Sequence, residues 1–198
     1  MRPSLAACLL LMPLLSAGCD KTDRDQAAAA ELDHQRLILS QGYSMLYSDA
    51  SKLGIADLLL LVKLESQGFD DLVSELSTYG DELKVELKEA SKNYPAMRLD
   101  LDPLPEMEQR KRNAIAKDRT IDFLPFSGKG RVEYERTMLI STSNALNHES
   151  HLCQVMADEE TEPGLQQLLR KCERRYGELR DKALALLRSD HFVAEKKS

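Results

Sequence analysis

The residues of this chain whose types could do chemistry are four cysteines, four histidines and one Gly-rich turn. His148-Glu149-Ser150-His151 puts two imidazoles three residues apart, on one face of a helix. With Glu149 beside them, His148 and His151 could hold one divalent transition-metal ion. The plainer reading of the same residues is a solvated polar stripe. Glu31-Leu32-Asp33-His34 has the Glu-x-x-His spacing of di-iron bundles, yet no second complete copy follows, and His34 sits among charged residues. Ser127-Gly128-Lys129-Gly130 could offer backbone amides to an anion, but it lacks the rest of a phosphate-loop pattern and reads as a flexible turn. No Ser or Cys has a His at a recognisable offset, so no catalytic residue is assigned and the chain does not read as an enzyme. The expected cofactor set is empty, with a divalent transition metal as the alternative.

The cysteines gain meaning from the N-terminus. Met1-Arg2 precedes an apolar stretch, Leu5 to Leu15, broken only by Pro13 and followed by Leu15-Ser16-Ala17-Gly18-Cys19. A basic start, an apolar core too short to span a bilayer and small residues at the end describe a secretory signal. With a cysteine directly after the small residues, the run resembles the lipobox of bacterial lipoproteins. That resemblance implies cleavage before Cys19, a thioether-linked diacylglyceride on its sulfur and an acyl chain on its new amino group. Two such signals anchor a protein stably, where one chain binds only marginally. Asp20, the next residue, resembles the signal that retains lipoproteins in the inner membrane. The implied location is the periplasmic side of the cell membrane, with the inner membrane favoured.

The same resemblance removes Cys8 with the signal and uses Cys19 for lipid, which leaves Cys153 and Cys172 in an oxidising compartment. A disulfide between them is expected across a helical hairpin, because a turn signal, Asp158 to Gly164, lies between the two. Closing such a loop is worth on the order of 3 kcal/mol in the chain-entropy model. Two buried thiols that never meet are the alternative.

Composition suits an exported domain on a tether. Loss of residues 1–18 removes one charge, Arg2, and takes the formal net charge from −6 to −7. No basic excess points to nucleic acid. The longest later apolar run, Leu58–Val62, is far short of a second membrane span. Basic clusters at Arg110-Lys111-Arg112 and Arg170-Lys171 with Arg174-Arg175 are interspersed with acids and read as solvated faces. The expected segments are a signal over 1–18, a tether over 19–30, a bundle over 31–190 and a tail over 191–198.

Helical periodicity runs through nearly all of the chain. Leu32, Leu39, Leu46, Leu53 and Leu60 recur every seven residues, with Tyr43, Ala50 and Leu64 beside them, and predict one helix ending near Ser66 with a possible bend at Gly54. Ser66-Gln67-Gly68-Phe69-Asp70 predicts a turn with Asp70 as N-cap. A second helix then carries Leu72, Leu76, Tyr79, Leu83 and Leu87 as far as Tyr94-Pro95. Pro103 and Pro105 open a charged, helical connection, Glu106 to Arg119. A third core helix over about Val132 to Ala157 is expected to turn Tyr134, Met138, Ala145, Leu152 and Val155 inward. A fourth, from Pro163 to about Ser189, does so with Leu165, Leu168, Leu169, Cys172, Tyr176, Leu179, Ala183 and Leu186. The fold class is all-α: a four-helix bundle, ferritin-like or similar, of two antiparallel hairpins with a long middle connection.

Two hairpins, a Pro-containing connection, a Gly-then-aromatic start to the third helix (Gly130 to Tyr134) and the exported N-terminus resemble the ferritin-like exported bundle family of unknown function. That family carries an Asp-His pair late in its second helix and a His midway along its third. Here those stretches read Tyr79-Gly80-Asp81-Glu82-Leu83 and Asn144-Ala145-Leu146-Asn147-His148, so its metal site does not carry over. The expected function is a membrane-anchored periplasmic lipoprotein whose bundle binds a protein partner or serves a structural role. A ferritin-like metal-binding or oxidative-stress protein is the alternative.

Overall fold

The computed structural model describes residues 19–54, 66–102, 104–122 and 131–191, and among them every regular element is a helix. In order these are α1 (Cys19–Leu53), α2 (Gln67–Asn93), α3 (Glu106–Asp122), α4 (Arg131–Glu159) and α5 (Pro163–His191). The chain divides into two units, Met1–Leu37 and Ile38–Ser198. What is described of the first is helical from Cys19 onward, including the stretch expected as a tether, and its Leu32 is 64% exposed. Leu60 and Leu64 of the expected apolar series lie outside the described residues, as do residues 192–198 of the expected tail.

The second unit is a helical bundle, and its core shows why these segments are helices. On α5 Leu165, Leu169, Cys172, Tyr176, Leu179, Ala183 and Leu187 are buried, at steps of three and four that keep one face inward. On α2 Phe69, Leu72, Val73, Leu76, Tyr79, Leu83 and Leu87 do the same. Pro163 opens α5 where its missing N–H costs nothing. Pro95 closes α2, since the residue before a proline is pushed out of helical conformation, and the Tyr94 N–H makes the last bond, to the Ala90 carbonyl.

The neighbours of each helix fix the topology. Lys88 lies 5.7 Å over the Tyr47 ring while Gly80 meets Ala50 and Gly54, so α1 and α2 are antiparallel. Glu86 pairs with Lys171 and Glu75 with Lys182, so α2 and α5 are antiparallel. Ser150 donates to the Glu173 carbonyl and Asp158 pairs with Arg170, so α4 and α5 are antiparallel too. Helices α2 and α4 therefore run the same way. A connection from one to the other must return along a bundle about 40 Å long, at 1.5 Å per residue of α2. That is the one long crossover expected from the sequence, with α3 inside it.

The start of this crossover is held by α1. Ser40 Oγ donates to the Ala96 carbonyl at 2.9 Å, and Ser44 Oγ donates to the Arg98 carbonyl at 3.1 Å and accepts from the Leu101 N–H at 3.2 Å. Met97 is buried beneath it.

Two sequence expectations need correction. Asp70 is not the N-cap of α2: the helix begins at Gln67, with Ser66 in extended conformation before it and the Ser66 carbonyl accepting the Phe69 and Asp70 N–H groups. Gly68 is tolerated inside that first turn because Leu186 packs where its Cβ would be. On α4 Ala145 and Val155 face solvent, and Leu139, Leu146, Cys153 and Met156 take the core. Apolar residues surround α4 on several sides, so its periodicity alone does not select the buried stripe.

Glycine at 80 is required by packing. A Cβ there would lie 2.6 Å from the Gly54 nitrogen and 2.7 Å from the Ala50 carbonyl oxygen, both backbone atoms. Gly177 on α5 has nothing within 4 Å of the same position. Gly80→Ala is thus expected to cost about 1–3 kcal/mol by overpacking, whereas Gly177→Ala gains about 0.5–1 kcal/mol from helix propensity. Urea unfolding followed by circular dichroism compares the two, and equal shifts would contradict the close α1–α2 approach.

Candidate functional site

Midway along the bundle the apolar core is interrupted by a layer of polar side chains from all four long helices. Helix α1 supplies Asp49, α2 supplies Tyr79, α4 supplies Glu149 and Cys153, and α5 supplies Cys172 and Tyr176. The i, i+4 spacing stacks Glu149 over Cys153 and Cys172 over Tyr176, and the antiparallel α4–α5 register sets these pairs opposite each other. Both cysteines and Tyr176 are fully buried, and Tyr79 nearly so. The two phenol rings meet edge to face, centroids 5.2 Å apart at 82°. Outside the layer, the Arg175 guanidinium lies 5.7 Å from the Tyr79 ring centroid while pairing with Glu75 at 2.9 Å.

Electrostatics sorts these groups into two pairs. Glu149 lies within hydrogen-bonding reach of Asp49, and burial first, then that neighbouring carboxylate, pushes its carboxyl up to about 8. Arg112 and Lys52 oppose the shift, with Lys52 held 2.5 Å from Asp49. Glu149 Oε2 has no partner among the described residues. The second pair is the thiols. Its neighbour Cys172, and then burial, push the Cys153 thiol up. Its neighbour Cys153 lowers the Cys172 thiol despite its burial. Neither the Tyr79 nor the Tyr176 hydroxyl has a hydrogen-bond partner among the described residues. Burial pushes both phenols up, so they stay protonated.

Not all the residues named from sequence come together. Cys153 and Cys172 are neighbours in the core, but they are free thiols and the expected disulfide is not formed. Closing it requires an oxidant that takes two electrons from the pair. The proposed metal trio of His148, His151 and Glu149 does not converge. Both histidines are exposed, with His151 Nδ1 3.0 Å from Gln154 Oε1, while Glu149 turns inward to Asp49. A residue next in sequence is rotated by about 100° around a helix, which separates Glu149 from either imidazole. Among the described residues no three His, Cys, Asp or Glu side chains are placed to hold a metal ion, so the residues do not fit the metal site that the ferritin-like resemblance would bring. Cys19 and Asp20 are the first two residues of α1. His34 is exposed, and Ser127 to Gly130 lie outside the described residues.

Sequence reading missed the interior carboxylates. Glu160, in the α4–α5 turn, is buried, yet it accepts the Thr161 and Glu162 N–H groups at 2.9 and 3.0 Å and the Tyr43 hydroxyl at 2.8 Å. Glu135, one turn into α4, is buried as well, accepts the Ser66 N–H, and lies 3.8 Å from His191 Nε2. A periodic signal existed: Glu135, Leu139, Leu146, Glu149 and Cys153 share one helical face, which becomes visible once acids are allowed in it.

The basic clusters are mostly paired. Arg110 binds Glu106, Arg170 binds Asp158 and Glu173, Lys171 binds Glu86, and Arg175 binds Glu75 and Glu178. A surface groove of about 410 Å³ beside Tyr47, Lys88, Met97 and Arg98 likewise has its cations engaged, by the Tyr47 ring and by Asp100.

Because the folded chain keeps a proton on Glu149 that the unfolded chain releases near 4.5, stability falls as pH rises from about 5 to about 8, where this contribution is lost. Glu149→Gln retains a donor toward Asp49 without the titration, so its urea midpoint is expected to stay level across that range, and profiles parallel to wild type would refute the assignment. No known protein family, no curated protein and no solved structure matches this chain.

Proposed function

We propose that the chain is a bacterial lipoprotein held by lipid on Cys19 at the periplasmic side of a membrane, and that its bundle is a non-catalytic binding or structural module. The observation that carries this reading is Leu15-Ser16-Ala17-Gly18-Cys19 behind a short apolar stretch. Among the described residues no helix is long and apolar enough to cross a membrane, which suits a lipid as the attachment. Asp20 favours retention in the inner membrane. A partner would be a protein, since no basic excess suits nucleic acid. The module reading is supported by a core whose polar groups are buried, away from any substrate.

In an oxidising compartment Cys153 and Cys172 would close a disulfide, and their facing positions in the core support that bond. It would tie α4 to α5 at a layer both helices already share.

Mass spectrometry of the mature N-terminus tests the anchor. The expected result is a chain beginning at Cys19 with diacylglyceryl and acyl groups, and Cys19→Ala is expected to leave the membrane fraction. An unmodified chain that begins elsewhere would refute the reading. Cross-linking and pull-down from membranes test the module, which predicts one reproducible partner. Stoichiometric transition metal in the purified protein would favour the ferritin-like metal-binding alternative instead.

A further inference from the structure

Three helix ends meet at one buried carboxylate. Glu135, one turn into α4, is 4% exposed, and its two oxygens face different neighbours. Oε1 accepts the Ser66 N–H at the start of α2, while Oε2 lies 3.8 Å from His191 Nε2 at the end of α5. The His191 side chain is 2% exposed, and neither ring nitrogen makes a hydrogen bond among the described residues. Close by, Leu186 of α5 packs against Gly68 of α2.

An imidazole withdrawn from water in this way separates its two charge states. The neutral ring leaves both nitrogens without a partner among the described residues. The charged ring gains an ion pair with Glu135, and as a cation in the last turn of α5 it also complements the unpaired carbonyls of that helix end. Desolvation disfavours an isolated charge, and here the two charges are opposite and adjacent. Other charged groups on the elements that meet here are Asp70 and Asp71 on α2, Glu133 and Arg136 on α4, and Arg188 and Asp190 on α5. All are exposed except Asp70, which is half-buried one turn beyond Ser66 with an unpartnered Oδ1. Glu135 is therefore the charged group that the structure places against the ring.

We infer that His191 and Glu135 form a proton-operated latch, in which the charged imidazole closes an ion pair that ties the last turn of α5 to α4 and, through the same carboxylate, to the start of α2. Acid closes the latch and base opens it. As the ring takes up a proton from solvent, the end of α5 is held; as it gives the proton back, the pair is lost and the turn frays. The latch goes beyond the proposed anchor and module, and it stands whether or not Cys19 carries lipid.

Hydrogen exchange of the full chain, followed by mass spectrometry at about pH 5 and about pH 8, brackets the range in which histidine changes charge. Rates are expressed as protection relative to an unstructured peptide, so that the intrinsic effect of pH on exchange drops out. In wild type the last turn of α5 is expected to be about tenfold better protected at the lower pH, the scale of a hydrogen bond to a charged group. Glu135→Gln and His191→Gln each remove one partner and are expected to show the same protection at both. Asp70→Asn is expected to keep the wild-type change. Glu149 is present in every chain, so its own titration does not separate them. A wild type without the change, or either Gln variant that keeps it, would overturn the latch, and loss of the change in Asp70→Asn would overturn the pairing with Glu135. Should Glu135→Gln not fold, His191→Gln, at the end of α5, decides alone.

Discussion

Packing of α5 against its two neighbours is the interaction on which the rest of the bundle depends. One buried stripe, Leu165 to Leu187, serves both α4 on one side and α2 on the other. Each Leu removed from water contributes about 1.5–3 kcal/mol, while the surface pairs along the same seams, Glu75 with Lys182 and Glu86 with Lys171, contribute roughly 0–1 kcal/mol each. Burial thus supplies the stability and the ion pairs act chiefly on register. Glu75 illustrates the limit: Lys182 and Arg175 hold its carboxyl below the usual range, but it remains partly exposed, so solvent screens most of that gain.

Against this background the buried polar groups divide by how well they are satisfied. Glu160 sits where a helix start and a tyrosine converge, so three donors compensate for its desolvation. It anchors the α4–α5 turn to α1 and serves the same purpose as a capping side chain, relieving unpaired amides. The middle layer is different. Glu149 Oε2, the Tyr176 hydroxyl and the Tyr79 hydroxyl lack conventional partners, and an unpaired buried polar atom costs about 1–3 kcal/mol. A bundle selected only for stability would fill these positions with Leu or Phe.

How much of this was legible in the sequence follows from the number of apolar stripes on each helix. On α2 and α5 there is one, and Leu72, Leu76, Leu83 and Leu87, like Leu165, Leu169 and Leu179, fall inside as the spacing says. On α4 the apolar residues lie all round, and only neighbours decide that Leu139 and Leu146 go in while Val155 stays out. The meeting of Cys153 and Cys172 was legible because a turn placed them at similar distances from one bend. The carboxylates were not. Sequence grouped Glu149 with His148 and His151 because all three lie within one turn, whereas helical geometry points Glu149 away from both. Asp49 is a hundred residues away and has no local signal linking it to Glu149.

The polar layer also restricts how the helices can slide. The apolar stripe of α1, with Leu39, Tyr43, Leu46 and Ala50 spaced by three and four, would pack nearly as well after a shift of one turn, about 5.4 Å. Such a shift would part Glu149 from Asp49, which would keep only its pair with Lys52. On α5 the same shift would carry Cys172 away from Cys153 and Tyr176 away from Tyr79. A buried polar contact that is made in one register and broken in the others costs stability yet discriminates between alignments, as a single polar residue does in coiled coils. Here the discrimination is distributed: Asp49–Glu149 aligns α1 with α4, Cys153–Cys172 aligns α4 with α5, and the edge-to-face pair Tyr79–Tyr176 aligns α2 with α5. Three contacts in one layer are enough to fix the register of all four long helices, which accounts for a bundle that keeps weakly satisfied polar atoms at its centre and well-satisfied ones at the turn.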